Sequence, residues 1–178
     1  DVKSLSTISG RGKPVHDLTG LDKCASLASL ELTDMEFSDL KPLENLKNLQ
    51  SLTLSRNKIR DITPLAGLTN LQYLELSGNI VTDLTPLKAL TAMNALYLSG
   101  NRITSVAALS AMNKLSSLYL DGNQVADLAP LSTLRWLSSL DLRGNRLTRL
   151  PSSLGRLSRL RRLDVGFNRL RGVPPELS

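Results

Sequence analysis

The sequence predicts an α/β protein wound as a solenoid of about eight coils, and three observations carry that reading. First, LQYLELSGNIVTDLTPLKAL (71–90) returns when shifted by 22 residues either way, as LQSLTLSRNKIRDITPLAGL from Leu49 and MNALYLSGNRITSVAALSAM from Met93. A fixed period in the range of about 20 to 50 residues is the mark of stacked repeats and outranks any local reading. Second, 40 of the 178 residues are leucine, against two Phe, three Tyr and one Trp, so a single core environment recurs many times. Third, coils beginning at Leu5, Leu27, Leu49, Leu71, Met93, Leu115, Leu137 and Leu160 step by 22 residues six times and then by 23.

Each part of the frame L-x-x-L-x-L-x-x-N-x-I-x-D-L-x-P-L-x-x-L has a physical reason. In L-x-L, as in Leu74-Glu75-Leu76, alternate side chains point the same way, so the leucines face inward and the residue between them faces out. Repetition stacks these short strands in parallel, roughly 4.8 Å apart, as the sheet of a concave face. The chain must then turn, and Asn57, Asn79, Asn101, Asn123, Asn145 and Asn168 stand at the turn. An Asn side chain both donates and accepts, so it satisfies turn backbone while facing the interior. Ser-Gly-Asn at 77–79 and 99–101 reads as turn chemistry.

The return segment D-L-x-P-L begins with a residue that accepts from N–H groups ahead of it. Its proline suits a 3-10 turn and not a second strand, which predicts 3-10 turns and irregular segments on the convex face. Asp17, Asp39, Asp61, Asp83 and Asp127 occur once per coil. That spacing makes them turn caps in preference to an acid array for metal or catalysis.

The turn reads DLTGL (17–21), DLKPL (39–43), DITPL (61–65), DLTPL (83–87), SVAAL (105–109) and DLAPL (127–131). With these residues in view, the chain resembles the leucine-rich repeat proteins. Coils two to six resemble the 22-residue repeats of internalins and related bacterial proteins. Coils seven and eight change type: LTRLPSSLGRL (147–157) and LRGVPPEL (170–177), with Leu150-Pro151 and Val173-Pro174, resemble the "typical" class. The resemblance covers the whole chain and implies a right-handed solenoid used for recognition.

On this reading residues 1–178 form one leucine-rich repeat domain, with a degenerate first coil (1–24), 22-residue coils (27–136) and longer C-terminal coils (137–178). Lys13 and Met35 stand where Asn belongs in coils one and two, although Ile8, Val15, Leu18 and Leu21 keep the apolar frame of coil one. Nothing helical is predicted before Leu5, and the chain stops at Ser178 in the midst of coil eight's return. An uncapped leucine core aggregates. The expectation is therefore a fragment of a longer protein, or an end paired with another subunit.

Catalytic constellations are not found. His16 is read as a solvated turn residue, and Cys24 takes a leucine position (the counterpart of Leu46 and Leu68), which makes it a buried small hydrophobe. No C-x-x-C, H-E-x-x-H or phosphate-binding Gly-rich loop occurs. The expectation is a non-enzyme with no cofactor, no metal site and no small-molecule substrate. No apolar run approaches the length of a transmembrane segment. The compartment stays open between cell surface or secreted and cytoplasmic.

The outward strand positions carry the functional signal. Between the paired leucines they read Ser9, Glu31, Thr53, Glu75, Tyr97, Tyr119, Asp141 and Asp164. Two places earlier they read Thr7, Ser29, Ser51, Tyr73, Ala95, Ser117, Ser139 and Arg162; two places later, Arg11, Thr33, Ser55, Ser77, Ser99, Asp121, Arg143 and Gly166. All three tyrosines thus fall on one surface in coils four to six. Tyr and Arg dominate binding hot spots because they join large contact area to a polar tip. The expected partner-binding residues are Glu31, Tyr73, Glu75, Tyr97, Tyr119, Asp121, Asp141, Arg143 and Asp164. The position after the asparagine adds a mostly basic stripe of Lys58, Ile80, Arg102, Gln124, Arg146 and Arg169, so a protein partner offering both charge signs fits.

The net charge of +6 is uneven: residues 135–178 hold ten arginines against Asp141, Asp164 and Glu176, a local balance of +7. Such a surplus attracts acidic protein, anionic lipid or nucleic acid, or serves as a solvated face. Arg135-Trp136 precedes the strand of coil seven at a position that is usually polar, where Trp136 packs over the solenoid's edge or anchors a partner. The leading expectation is a non-catalytic protein-binding module acting through its concave face. The alternatives are a sensor or substrate-recognition arm of a larger multidomain enzyme, an anionic-surface or nucleic-acid binder through the C-terminal arginines, and a structural spacer. Nucleic acid is disfavoured because exposed aromatics do not interleave with the basic residues there.

Overall fold

The structure, a computed structural model, describes residues 2–177. Asp1 and Ser178, on which the fragment expectation turned, lie outside the described residues. Eight strands form one sheet in strict chain order: β1 (Thr7–Arg11), β2 (Ser29–Thr33), β3 (Ser51–Thr53), β4 (Tyr73–Glu75), β5 (Ala95–Tyr97), β6 (Ser117–Tyr119), β7 (Ser139–Asp141) and β8 (Arg162–Asp164). Every neighbouring pair is parallel. The register follows the repeat: Leu52 faces Leu74, Leu74 faces Leu96, and the one 23-residue step sets Ser139 against Arg162. Leu74 and Leu76 are fully buried, as the L-x-L alternation requires. One continuous cluster of buried apolar side chains runs from Leu18 to Leu157 and includes Cys24.

The asparagines stitch each coil to its predecessor. Asn101 accepts from the Val81 N–H at 2.9 Å and donates through Nδ2 to the carbonyls of Leu76 and Leu98, both at 3.0 Å. Asn79, Asn123 and Asn145 repeat the pattern, and Asn57 accepts from Met35. Among the described residues no buried side-chain nitrogen or oxygen lacks a hydrogen-bond partner. The core is therefore polar at one position per coil without the cost of an orphaned group.

The return segments are short 3-10 turns, including Lys41–Leu43, Thr63–Leu65, Thr85–Leu87, Ala107–Leu109 and Ala129–Thr133, and all the helix among the described residues is of this 3-10 kind. Asp39, Asp61, Asp83 and Asp127 open four of these turns as predicted, accepting from the backbone N–H two residues on at 2.8–3.0 Å, and Asp17 makes the same bond to Thr19 ahead of the Leu21–Lys23 turn. In coil five the Ser105 hydroxyl takes the same place, accepting from Ala107. The Thr19, Thr63 and Thr85 hydroxyls, then their N–H groups, hold the carboxyls of Asp17, Asp61 and Asp83 below the usual aspartate range.

The ends depart from the frame. Leu5 is 41% exposed and Val15 36%, and of coil one only Leu18 and Cys24 join the buried cluster. Gly10 stands opposite Leu32 in the register, so coil one offers no leucine there. The expectation that nothing helical precedes Leu5 is corrected by a single 3-10 turn, Val2–Ser4. Thr33, read as outward-facing, is buried: β1 and β2 pair over five residues, and its hydroxyl lies 3.4 Å from that of Ser55.

Candidate functional site

The three tyrosines form a continuous strip. Tyr97 and Tyr119 are directly opposed across β5 and β6, and their rings stack with centroids 4.8 Å apart and planes 5° from parallel. Tyr73 comes from the neighbouring position, where its own opposite number is Ala95. That small residue leaves room for a diagonal contact, and the Tyr73 ring lies 5.3 Å from that of Tyr97, tilted by 42°. All three tyrosines are half-buried.

Carboxylates border this strip. Glu75 is directly opposite Tyr97 in the register, and Asp141 is opposite Tyr119. Burial, then Glu75, Tyr97 and Glu31, push the Tyr73 phenol above its ordinary value; burial, then Tyr119 and Glu75, raise that of Tyr97. Glu31, two coils from Glu75, therefore shares the field of the strip. Asp121 bonds the Ser99 hydroxyl of the preceding coil.

Three of the acids also hold the backbone: Glu75 accepts from Ser77, Asp141 from Arg143 and Asp164 from Gly166, at 2.7–3.1 Å. The two ion pairs among the described residues, Lys41–Glu44 and Lys58–Glu36, lie elsewhere, so the acids beside the strip are not neutralised internally.

The C-terminal part of the predicted set is a separate cluster. Arg143 lies with its guanidinium 4.5 Å from the centre of the Phe167 ring, and Asp164 belongs to the last strand. The sequence reading passed over Phe167, which is 78% exposed. It occupies the turn position held by Gly78, Gly100, Gly122 and Gly144, with φ at +54° in the left-handed region. An aromatic in a glycine register was the available signal. Trp136 is 53% exposed, with the guanidinium of Arg159 3.6 Å over its ring. Among the described residues no group of His, Cys, Asp or Glu is placed to hold a metal ion, and no helix is long and apolar enough to cross a membrane.

Comparison with known proteins agrees with the fold. The family described as Leucine Rich repeats (2 copies) matches residues 25–67, 47–89 and 91–133, and Leucine Rich Repeat matches residues 136–157. The chain belongs to the leucine-rich repeat family. Within that family it is internalin-like: the crystal structure of internalin C2 from Listeria monocytogenes superposes with a TM-score of 0.95 at 32% identity, over 99% of this chain and 77% of that one. Internalin InlF of the same organism gives 0.88 at 34% identity, over 91% of this chain and 48% of that one. This leucine-rich repeat chain thus spans about half the length of InlF. A plant peptide hormone receptor, RGFR1, in complex with RGF2, gives 0.79 at 29% identity over 88% of this chain and 27% of the receptor. No curated protein sequence matches the chain.

Proposed function

We propose that this leucine-rich repeat chain is a non-catalytic protein-recognition module that binds its partner on the concave face, centred on Tyr73, Tyr97 and Tyr119. The stacking of all three tyrosines of the protein into one strip carries the proposal. Stacking orders large, amphipathic surfaces before a partner arrives, so little rotamer entropy remains to be lost on binding. Glu31, Glu75, Asp121 and Asp141 supply negative charge beside the rings, which favours a partner presenting lysine or arginine among apolar side chains. Arg143, against Phe167 and beside the strand of Asp164, marks the C-terminal rim, where its guanidinium can take an acidic group of the partner. The likeness to a plant peptide hormone receptor in complex with RGF2 supports a polypeptide as the occupant.

The test is the double variant Tyr97→Ala/Tyr119→Ala. Cooperative unfolding should persist, while affinity for the physiological partner falls by at least about a hundredfold, as expected when two hot-spot aromatics are truncated. Undiminished binding by the folded variant moves the site away from this face.

A further inference from the structure

A second surface, on the flank that leads into the strands of coils six to eight, stands apart from the concave strip. One register position runs Asn48, Asn70, Ala92, Lys114, Trp136 and Arg159, each 22 residues from the last and the final one 23. In the early coils this position is structural: Asn48 donates to the Ala25 carbonyl at 2.9 Å and Asn70 to that of Lys47 at 2.8 Å. From coil six onward its residues are a lysine, a tryptophan and an arginine, all exposed, with exposed Arg135 beside the tryptophan. The segments 110–117, 132–139 and 155–162 contain no Asp or Glu. None of Lys114, Arg135 and Arg159 belongs to either ion pair among the described residues. Arg156 and Arg161 lie toward the open end of coil eight near Glu176 and are left out of the patch.

We infer that Lys114, Arg135, Trp136 and Arg159 form a second docking patch for a short acidic peptide segment of a partner protein, with an apolar side chain seated against Trp136. Charge complementarity selects the occupant: Arg159 lies over the ring, Lys114 holds the same register position one coil earlier, Arg135 precedes the tryptophan, and three exposed cations in segments without Asp or Glu attract carboxylates. The Arg159 guanidinium, already over the indole, holds the ring in place while keeping donors for a carboxylate. The patch crosses three coils, roughly 10 Å at strand spacing, which matches about three residues of extended peptide. Nucleic acid needs a longer run of phosphate contacts for useful affinity and a series of stacking platforms, and here one ring serves.

The protein carries its own reporter, since Trp136 is its one tryptophan. The experiment titrates the peptide Glu-Glu-Leu-Glu-Glu into the full chain and follows tryptophan emission, with Lys-Lys-Leu-Lys-Lys and a short oligothymidylate of equal charge in parallel. A saturable shift is expected with the acidic peptide alone. Arg135→Glu should weaken it by about tenfold or more, while Lys23→Glu, the same change of net charge on coil one, leaves it unaltered. Equal weakening by the two variants, no saturable shift, or tighter binding of the oligothymidylate overturns the assignment, the last in favour of nucleic acid. The Tyr97→Ala/Tyr119→Ala variant should bind the acidic peptide unchanged, which separates this patch from the concave strip; loss of binding there would also overturn it.

Discussion

Coil one and coils three to six are written in the same 22-residue frame, yet they differ in what the frame achieves. Leu74, Leu96 and Leu118 are sealed on both sides by the coils before and after them; Leu5 is 41% exposed. Asn101 binds carbonyls in its own coil and the preceding one, whereas the corresponding residue of coil one is Lys13, and it is exposed. A repeat cannot bury its apolar face alone, so identical spacing becomes core only where both neighbours are present and the turn is stitched. The local cap survives in coil one, where Asp17 accepts from the Thr19 N–H just as Asp83 does from Thr85, and so does the strand pairing of β1 with β2. Backbone pairing and the turn cap persist at the end, whereas the asparagine stitch and the full burial of the apolar frame do not.

The largest effect should separate the two regions by leucine truncation. Leu96→Ala is expected to cost about 2–5 kcal/mol, through lost transfer and a cavity. Leu5→Ala should cost under about 1 kcal/mol, in proportion to the smaller area it hides. Urea denaturation of the two variants decides this; equal costs would erase the distinction. Next in size, Asn101→Ala should lose about 1–3 kcal/mol by orphaning buried turn groups, and Lys13→Ala should stay within about 0.5 kcal/mol of wild type.

Smaller effects follow from pH. The carboxyls of Asp17, Asp61 and Asp83 are held below the usual range by threonine hydroxyls and N–H groups. Their stabilisation is present above the unfolded value of 3.8 and is lost as pH falls through the lowered folded values. Asp83→Asn should therefore flatten the acid limb of a melting-temperature profile, and Asp17→Asn should do the same, because both caps are local. At the alkaline end, the raised phenols of Tyr73 and Tyr97 favour the neutral form in the folded state. Stability then declines as pH rises from about 10 through the raised values. Phenolate absorbance in variants that retain one of these tyrosines should titrate above free tyrosine; a midpoint at or below it would place that ring in open solvent.

Most of the architecture was legible because it depends on interval alone. The register of all eight strands, the inward leucines, the asparagine stitches and the aspartate caps each repeat at a distance that can be read from the chain. The tyrosine strip was half legible: the interval put Tyr97 and Tyr119 side by side, but the diagonal approach of Tyr73 depended on Ala95 being small. The rest arises where one coil departs from its neighbours. Burial of Thr33 came from the longer pairing of β1 with β2. The interval places Arg159 one coil after Trp136 and Phe167 in the register of the turn glycines, but the ring contacts of Arg159 with Trp136 and of Arg143 with Phe167 depend on side-chain conformations that spacing does not reveal.

The central claim is that frame residues carry the fold and leave the outward strip free for recognition. Amide hydrogen exchange on wild type and on Tyr97→Ala/Tyr119→Ala tests it most directly. The N–H groups of Val81, Ile103 and Val125, which donate to the asparagine side chains, should exchange slowest in both proteins, and those of the exposed residues Lys13 and His16 in coil one fastest. Collapse of protection at Val81, Ile103 and Val125 in the variant would show that the tyrosines hold the solenoid together, contradicting the separation of fold from recognition.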